Sequence, residues 1–374
     1  MKNFIIAGKH NRIVIQILLS IRSYSDAECV VLGGEETRVL RWSALCSRHA
    51  CIGFDESDDD SFVAAVCQFS SAMPSAVLVP ADCEAARMVN RVRARLTIDV
   101  IPIPDTPTLD MFDNKWRFHG FCTRHGFKVP ATRFVDDKAT LNFDAIAAEL
   151  GLPFVIKPVD QSGSCGVHIV HTLAYYDETI RNNKEYRFHP LIVQRYIKGT
   201  DMGLSLLSQR GMVSAYAVQK WVNSDAVFVR DDYLDMVVHE LCRVSGYHGV
   251  MHLDARLEEE TGTVFLIESN PRFWASLDGP VWGGLNFVAA SVGEGLPTNG
   301  IHVLFDGRFA GNRHPLLHPS WWRTLMSDPG ARGRMLRAMT FDLYLVSTYL
   351  RGLPALVFSS IRRRFVPGMM TRPF

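Results

Sequence analysis

The sequence predicts a mixed chain, α/β at its N-terminus and α+β beyond it: a doubly wound parallel sheet, then strand–loop–strand units, then a helical tail. Three observations predict this. Within residues 1–105 short apolar runs alternate with helical patterns, which is the signature of a parallel sheet with crossover helices. From residue 152 strand-like runs are separated by polar or small-residue loops instead. In the tail, residues 338–361 are apolar but are interrupted by Arg351 and Pro354.

The first strand, residues 4–7 (FIIA), stops at Gly8, and a helix-period stretch follows to Ile21. Residues 29–32 stop at Gly33-Gly34 and residues 76–79 at Pro80-Ala81-Asp82. Doubly wound sheets bind ligands beyond strand C-termini, so Gly8, Lys9 and Asp82 stand where a ligand can touch them. Tight turns are the simpler reading of all three. The run IPIPDTP (101–107) reads as a linker, since proline continues neither a helix nor a central strand. A helix opens in FDNKWRF (112–118) and ends near His125-Gly126. Strands are expected at 153–158, 167–170 and 191–194, the last leading into YIKGTD (196–201).

The bulk numbers exclude several classes. At 374 residues the chain can carry two or three cores. A hydrophobic share of 47%, a charged share of 21% and a net charge of +1 describe a globular protein without the basic stripe of a nucleic-acid binder. The eight cysteines show no C-x-x-C pair or zinc spacing, and are expected to be mostly buried thiols in a cytoplasmic protein. The N-terminal apolar runs are interrupted by polar residues and lack a cleavage site, unlike a signal peptide.

The sharpest chemistry lies between Gly249 and Asn270. Residues 250–256 and 264–268 are strand-like, and EEETG (258–262) is a polar turn. A hairpin centred on Thr261 places Asp254 opposite Glu268, and His252 opposite Asn270. In FLIESNPRFWAS (265–276), alternation on the strand sends Glu268, Asn270 and Arg272 to one side. Opposed carboxylates repel. Either one is protonated, or a cation lies between them, or both point to solvent; their apolar flanks argue against the last. Mg²⁺ suits such a set, with the Asn270 amide oxygen as a third ligand. His248 and His252 are acid–base candidates whose simpler reading is structural. Trp274, Trp282, Gly283 and Gly284 line a pocket or pack a core.

The loop DQSGSCG (160–166) exposes backbone N–H groups that can approach phosphate. It joins two strands and has no G-x-x-x-x-G-K-[ST] string, which excludes a Walker loop. Lys157 precedes the loop, which excludes the protein-kinase order.

Over residues 105–300 this order of elements resembles the ATP-grasp superfamily, the x-E-x-N-P-R string being closest to its carbamoyl-phosphate-synthase-like and biotin-carboxylase-like branch. The resemblance implies a pre-ATP-grasp domain at 1–105, a small lobe at 106–190, a large lobe at 191–310 and a helical tail at 311–374. It implies that Lys115 and Lys157 touch the phosphates, and that a lid containing Ser162, Gly163, Ser164 and Gly166 closes over them. Gln194, Arg195, Tyr196 and Ile197 fall on the adenine-binding hinge, and Asp201 on the ribose acid. Gln194 departs from the usual glutamate, although an amide oxygen also accepts from an adenine amino group. Asp254, Glu268 and Asn270 fall on the magnesium ligands. Arg272 would orient the substrate carboxyl, with Lys157 and Lys220 near the transferred phosphoryl group.

The implied cofactors are ATP and Mg²⁺, with Mn²⁺ as a substitute. The implied activity activates a carboxylate as an acyl phosphate and couples it to an amine or other nucleophile. A bicarbonate-using carboxylase and a catalytically silent nucleotide-binding module are the alternatives. The expected partners are small molecules, in a monomer or homodimer. The apolar tail with Arg362-Arg363-Arg364 is too interrupted to span a bilayer; it docks on the protein, or rests peripherally on an anionic membrane.

Overall fold

The computed structural model describes residues 2–350 except 224, 299, 311–317 and 349. The chain divides into two compact units. One holds residues 1–100, 275–289 and the part from 310 on; the other holds 101–274 and 290–309.

The first unit is built on five parallel strands: β1 (Asn3–Ala7), β2 (Cys29–Gly33), β3 (Arg48–Cys51), β4 (Ala76–Pro80) and β5 (Asp99–Val100), in the order β3-β2-β1-β4-β5. Near-continuous apolar strands are what a sheet covered on both faces requires, and β1 and β2 are buried almost throughout. Helix α1 (Asn11–Tyr24) buries Val14, Ile17, Leu18 and Ile21. Asp82 caps α3 (Cys83–Val92), which follows α2 (Asp59–Ala72), by accepting from Ala85 N. Its other oxygen accepts from Lys9 N at 2.6 Å and His10 N at 3.0 Å. Asp82 thus ties two strand ends together, the turn role that was the simpler reading. Segment 275–289, expected in the large lobe, joins this unit. So does the helix Ala331–Phe341, expected in a separate tail, through Arg334 on Arg22 O and Asp26. Residues 351–374, including Arg362–Arg364, lie outside the described residues.

In the second unit the proline-rich segment is only partly a linker. Asp105 caps α4 (Thr106–Asp113) by accepting from Thr108 N, and Pro107 sits in the first turn, where a missing N–H costs nothing. Asn114 then caps α5 (Lys115–Arg124), which is the expected helix, and α4 is an additional one before it. A four-stranded antiparallel sheet follows, with β6 (Thr132–Val135), β7 (Phe154–Pro158), β8 (His168–Val170) and β9 (Leu191–Arg195) in the order β6-β9-β7-β8. Phe154, Ile156, Val170, Tyr176, Leu191 and Val193 form its core with α6 (Phe143–Leu150).

The larger sheet contains β10 (Gly199–Gln209), β11 (Met212–Val222), β12 (Asp225–Phe228), β13 (Gly249–Glu258), β14 (Val264–Asn270), β15 (His302–Leu304) and β16 (Arg308–Phe309); it runs β14-β13-β10-β11-β12-β16, with β15 paired to β11. β10 and β11, the longest strands, are absent from the sequence-based expectation. One face of the sheet packs Met202, Leu204, Leu206, Val218, Leu253 and Leu266 against Phe112, Phe118 and Phe121 from α4 and α5. Each fully buried phenylalanine contributes about 2–3 kcal/mol. Period two sends the intervening residues to the other face, where the candidate site lies.

Candidate functional site

The β13–β14 hairpin pairs His252 with Asn270 and Asp254 with Glu268, as the sequence predicts, but by a less direct route. Near the turn the register is Leu257↔Val264 and Ala255↔Leu266; between Ala255 and Asp254 it shifts by one residue. This bulge at Ile267 reverses the alternation. Leu266 faces the core, and after one extra residue Glu268 faces the site beside Asp254. The next residue, Ser269, is buried with its hydroxyl on Phe112 O.

Two lysines answer the repulsion between the acids, a solution the sequence reasoning did not consider. Lys115 Nζ and Lys157 Nζ each lie 3.8 Å from Glu268 Oε2. Lys115 enters at the first turn of α5, whose position is tied by Lys115 N donating to Val159 O at 2.9 Å. Lys157 comes from β7 and is 3% exposed. It also donates to the bulge carbonyl of Ile267 at 3.5 Å. Burial pushes the Lys157 pKa down; the Glu268 carboxylate pulls it back up, and Lys115 opposes that pull.

Asn270 Nδ2 donates to Asp254 Oδ2 at 3.2 Å, while Asn270 Oδ1 accepts from Arg272 Nη2 at 3.0 Å. Arg272 lies beyond the end of β14, in the bend, and its Nη1 donates to Phe273 O at 2.8 Å. Two carboxylates and an amide oxygen are hard donors of the kind Mg²⁺ takes, so the chemistry of the set fits that ion. Asn270 would have to release its oxygen from Arg272 to serve as a ligand.

Toward the hinge, Gln194 on β9 is buried and donates through Nε2 to Thr132 Oγ1 at 2.9 Å. Arg195 pairs with Glu258 at 2.9 Å, and Ile197 is buried. Arg256, two residues along from Asp254, lies over the Tyr196 ring at 4.9 Å and 3.6 Å from Asp201 Oδ1. Sequence reasoning missed this organiser of the hinge. Its signal was the alternation His252, Asp254, Arg256 on one strand face.

The loop after β7 has Gly163, Ser164 and Gly166 at φ +65°, +64° and +70°. Ser162, Gly163 and Ser164 are exposed. A Cβ at Gly166 would lie 2.8 Å from both Phe188 and Pro158, which fixes the loop's far end. Lys115 Nζ donates to Gln161 O at its near end.

Lys220 is not brought to the cluster. It pairs with Met202, whose other neighbour is Ala255, and these lie on the core face with Tyr216 and Val218. The β11 residue on the site face is Gln219, opposite Gly203, which is itself opposite Asp254. His252 is buried, with Nδ1 2.9 Å from Ser205 Oγ and its ring stacked on Trp274 at 5.3 Å. Trp282, Gly283 and Gly284 belong to the first unit.

A small sheet carries a buried lysine and a glycine-bearing loop, and a larger sheet presents paired acids. Residues 112–229 match the ATP-grasp domain family. A D-alanine–D-alanine ligase of Laribacter hongkongensis is 26% identical over 184 residues, 48% of this chain and 53% of that protein. One from Oceanobacillus iheyensis is 27% identical over 123 residues, covering 33% and 31%. The chain thus spans about half or less of these curated relatives. Among solved structures, the L-amino acid ligase from Bacillus licheniformis aligns at a TM-score of 0.56 and 17% identity, over 78% of this chain and 73% of that one. The biotin carboxylase domain of Hydrogenobacter thermophilus 2-oxoglutarate carboxylase, solved with MgADP and bicarbonate, aligns at 0.61 and 15%, over 82% and 73%. These structures show that the fold is shared, including the mixed α/β architecture expected from the sequence.

Proposed function

We propose that this chain is an ATP- and Mg²⁺-dependent ligase that activates a carboxylate as an acyl phosphate and couples it to an amine or other nucleophile, releasing ADP and phosphate. The observation that carries the reading is the pair of lysine ammoniums, each 3.8 Å from Glu268, on a hairpin where Asp254 stands opposite. Positive charge buried against acids that can hold a metal is what a polyphosphate needs on both sides.

In this reading the substrate carboxylate attacks the γ-phosphorus, the bond to the β–γ bridging oxygen breaks, and ADP leaves. The nucleophile then attacks the acyl carbon, loses its proton, and phosphate leaves. Lys115 and Lys157 balance charge on the phosphates, and loop amides from 162–166 cover them. Gln194 accepts from the adenine amino group beside Arg195, Tyr196 and Ile197, and Asp201 takes the ribose hydroxyls. Asp254, Glu268 and Asn270 would hold Mg²⁺, which supplies neutralisation of phosphate charge when bound. Arg272 orients the acid. The large and small lobes of the module would contain these residues on opposite sides of the nucleotide.

A phosphate-release screen with ATP, Mg²⁺ and a matrix of carboxylic acids and amines tests the reading. It includes bicarbonate, which tests the carboxylase alternative. Failure of the protein to bind MgATP in calorimetry sinks it. Binding without any stimulated turnover favours a silent module. Among the described residues no helix is long and apolar enough to cross a membrane.

A further inference from the structure

The side chain of Gln219 has no role in the reaction outlined above, yet it lies on the site face. It is 1% exposed, and its Nε2 has no hydrogen-bond partner among the described residues. Buried amide donors are rarely left unpaired. Across the ladder, Gly203 carries no side chain and its neighbours close over it: a Cβ there would lie 3.3 Å from Gln219 Nε2, 3.1 Å from His252 Nε2 and 2.7 Å from His252 Cε1. Both nitrogens therefore close over one bare Cα, and His252 Nε2 also stands 3.7 Å from Asp254 Oδ1. The His252 ring is fixed by Ser205 and Trp274. When the Ser205 hydroxyl donates to Nδ1, Nε2 carries the ring proton.

The order along the ladder says what meets this spot. Asp201 pairs with Arg256, Gly203 with Asp254, and Ser205 with His252. Each step of two residues advances about 6.6 Å. A nucleotide with its ribose at Asp201 and phosphates at Asp254 turns its terminal end toward His252 and Gln219.

We propose that Gln219 Nε2 and His252 Nε2 form a subsite for an anionic oxygen at the reacting end: a carboxylate oxygen of the acid, or an oxygen of the phosphoryl group transferred to it. The assignment rests on the ligase reading and names the residues that would hold the reacting group laterally to the metal acids.

Three measurements on wild type and Gln219→Leu test it. Calorimetry with MgADP is expected to be equal for both; absence of binding in wild type refutes the ligase reading and leaves the subsite to the next two. Acetate and inorganic phosphate are titrated with and without MgADP while the Gln219 side-chain amide resonance, identified by its loss in the variant, is followed by NMR. Saturable movement with acetate marks the carboxylate source, and movement with phosphate the phosphoryl source; in either case the variant binds that anion at least about tenfold more weakly. No movement with either anion, or equal affinity in the variant, overturns the subsite. In ligand-free protein, removing the unpaired donor is expected to raise the melting temperature by about 2 °C or more. A variant that melts lower shows Gln219 to be a structural residue and overturns the proposal.

Discussion

Lys157 and Glu268 face each other at 3.8 Å across two sheets, the ammonium buried and the carboxylate about a quarter exposed. Neither strand is satisfied alone. β7 buries a charge that its own sheet cannot pair, and the bulged end of β14 aims an acid at another acid.

Replacing Lys157 by an apolar side chain of similar length removes a buried charge and leaves the partly solvated Glu268 paired with Lys115, so the fold is expected to stay intact. Lys157→Met should melt no lower than wild type. If Lys157 contacts phosphate, turnover in the phosphate-release assay falls about 10²–10³-fold. Retained turnover would remove Lys157 from the site.

Glu268→Gln should abolish ATP turnover, but it does not leave the protein unaffected. It strips both Lys115 and Lys157 of their nearest carboxylate. Breaking a buried pair on one side costs about 3–5 kcal/mol, less here because Glu268 is partly solvated. The double variant Lys157→Met/Glu268→Gln is expected to recover much of that stability and none of the turnover. Chemical denaturation of the four proteins in this cycle checks the coupling; additive effects would show that the two side chains are independent.

The acids themselves were legible in the sequence because a polar turn between two apolar runs sets an approximate register. Their opposition holds only through the bulge at Ile267, which simple counting from Thr261 absorbs without revealing. Lys115 and Lys157 were legible from the family resemblance, but not their proximity to Glu268, since they arrive from a helix and from another sheet. β10 and β11 were missed because Gly203, Ser205, Ala215 and Ala217 dilute their hydrophobic alternation. With the strands went their parity, so the sequence did not reveal that Lys220 takes the core face of β11 and Gln219 the other. The parallel sheet was legible because strands buried on both faces read as unbroken apolar runs.

Gly203→Ala probes the space over β10 directly. The added methyl would approach His252 Cε1 to 2.7 Å, so the imidazole must move off Ser205 or off Trp274. Overpacking of this kind costs about 1–3 kcal/mol. The expected result is a lower melting temperature with a changed tryptophan emission; an unchanged melt and spectrum would mean the ring yields freely and that the space is not confined.

Asp278 offers a test of the first unit alone. Its carboxyl is buried beside Gln16, whose Oε1 accepts from Asp278 N at 3.1 Å, while Asp278 Oδ1 accepts from Gly279 N at 3.0 Å. Burial pushes its pKa up to about 7, with the Gly279 N–H, the Asp278 N–H and the Gln16 side chain opposing the rise. The folded chain therefore keeps a proton that the unfolded chain releases near the ordinary carboxylate value. Linkage then makes stability fall as pH rises from about 4 to about 7, by up to about 1.4 kcal/mol per pH unit, and leaves the contribution flat above that window. Asp278→Asn keeps the shape and removes the titration, so its advantage over wild type should grow across that window and stay constant above it. Parallel stability curves for the two proteins across this range would show that Asp278 is ionised in the fold.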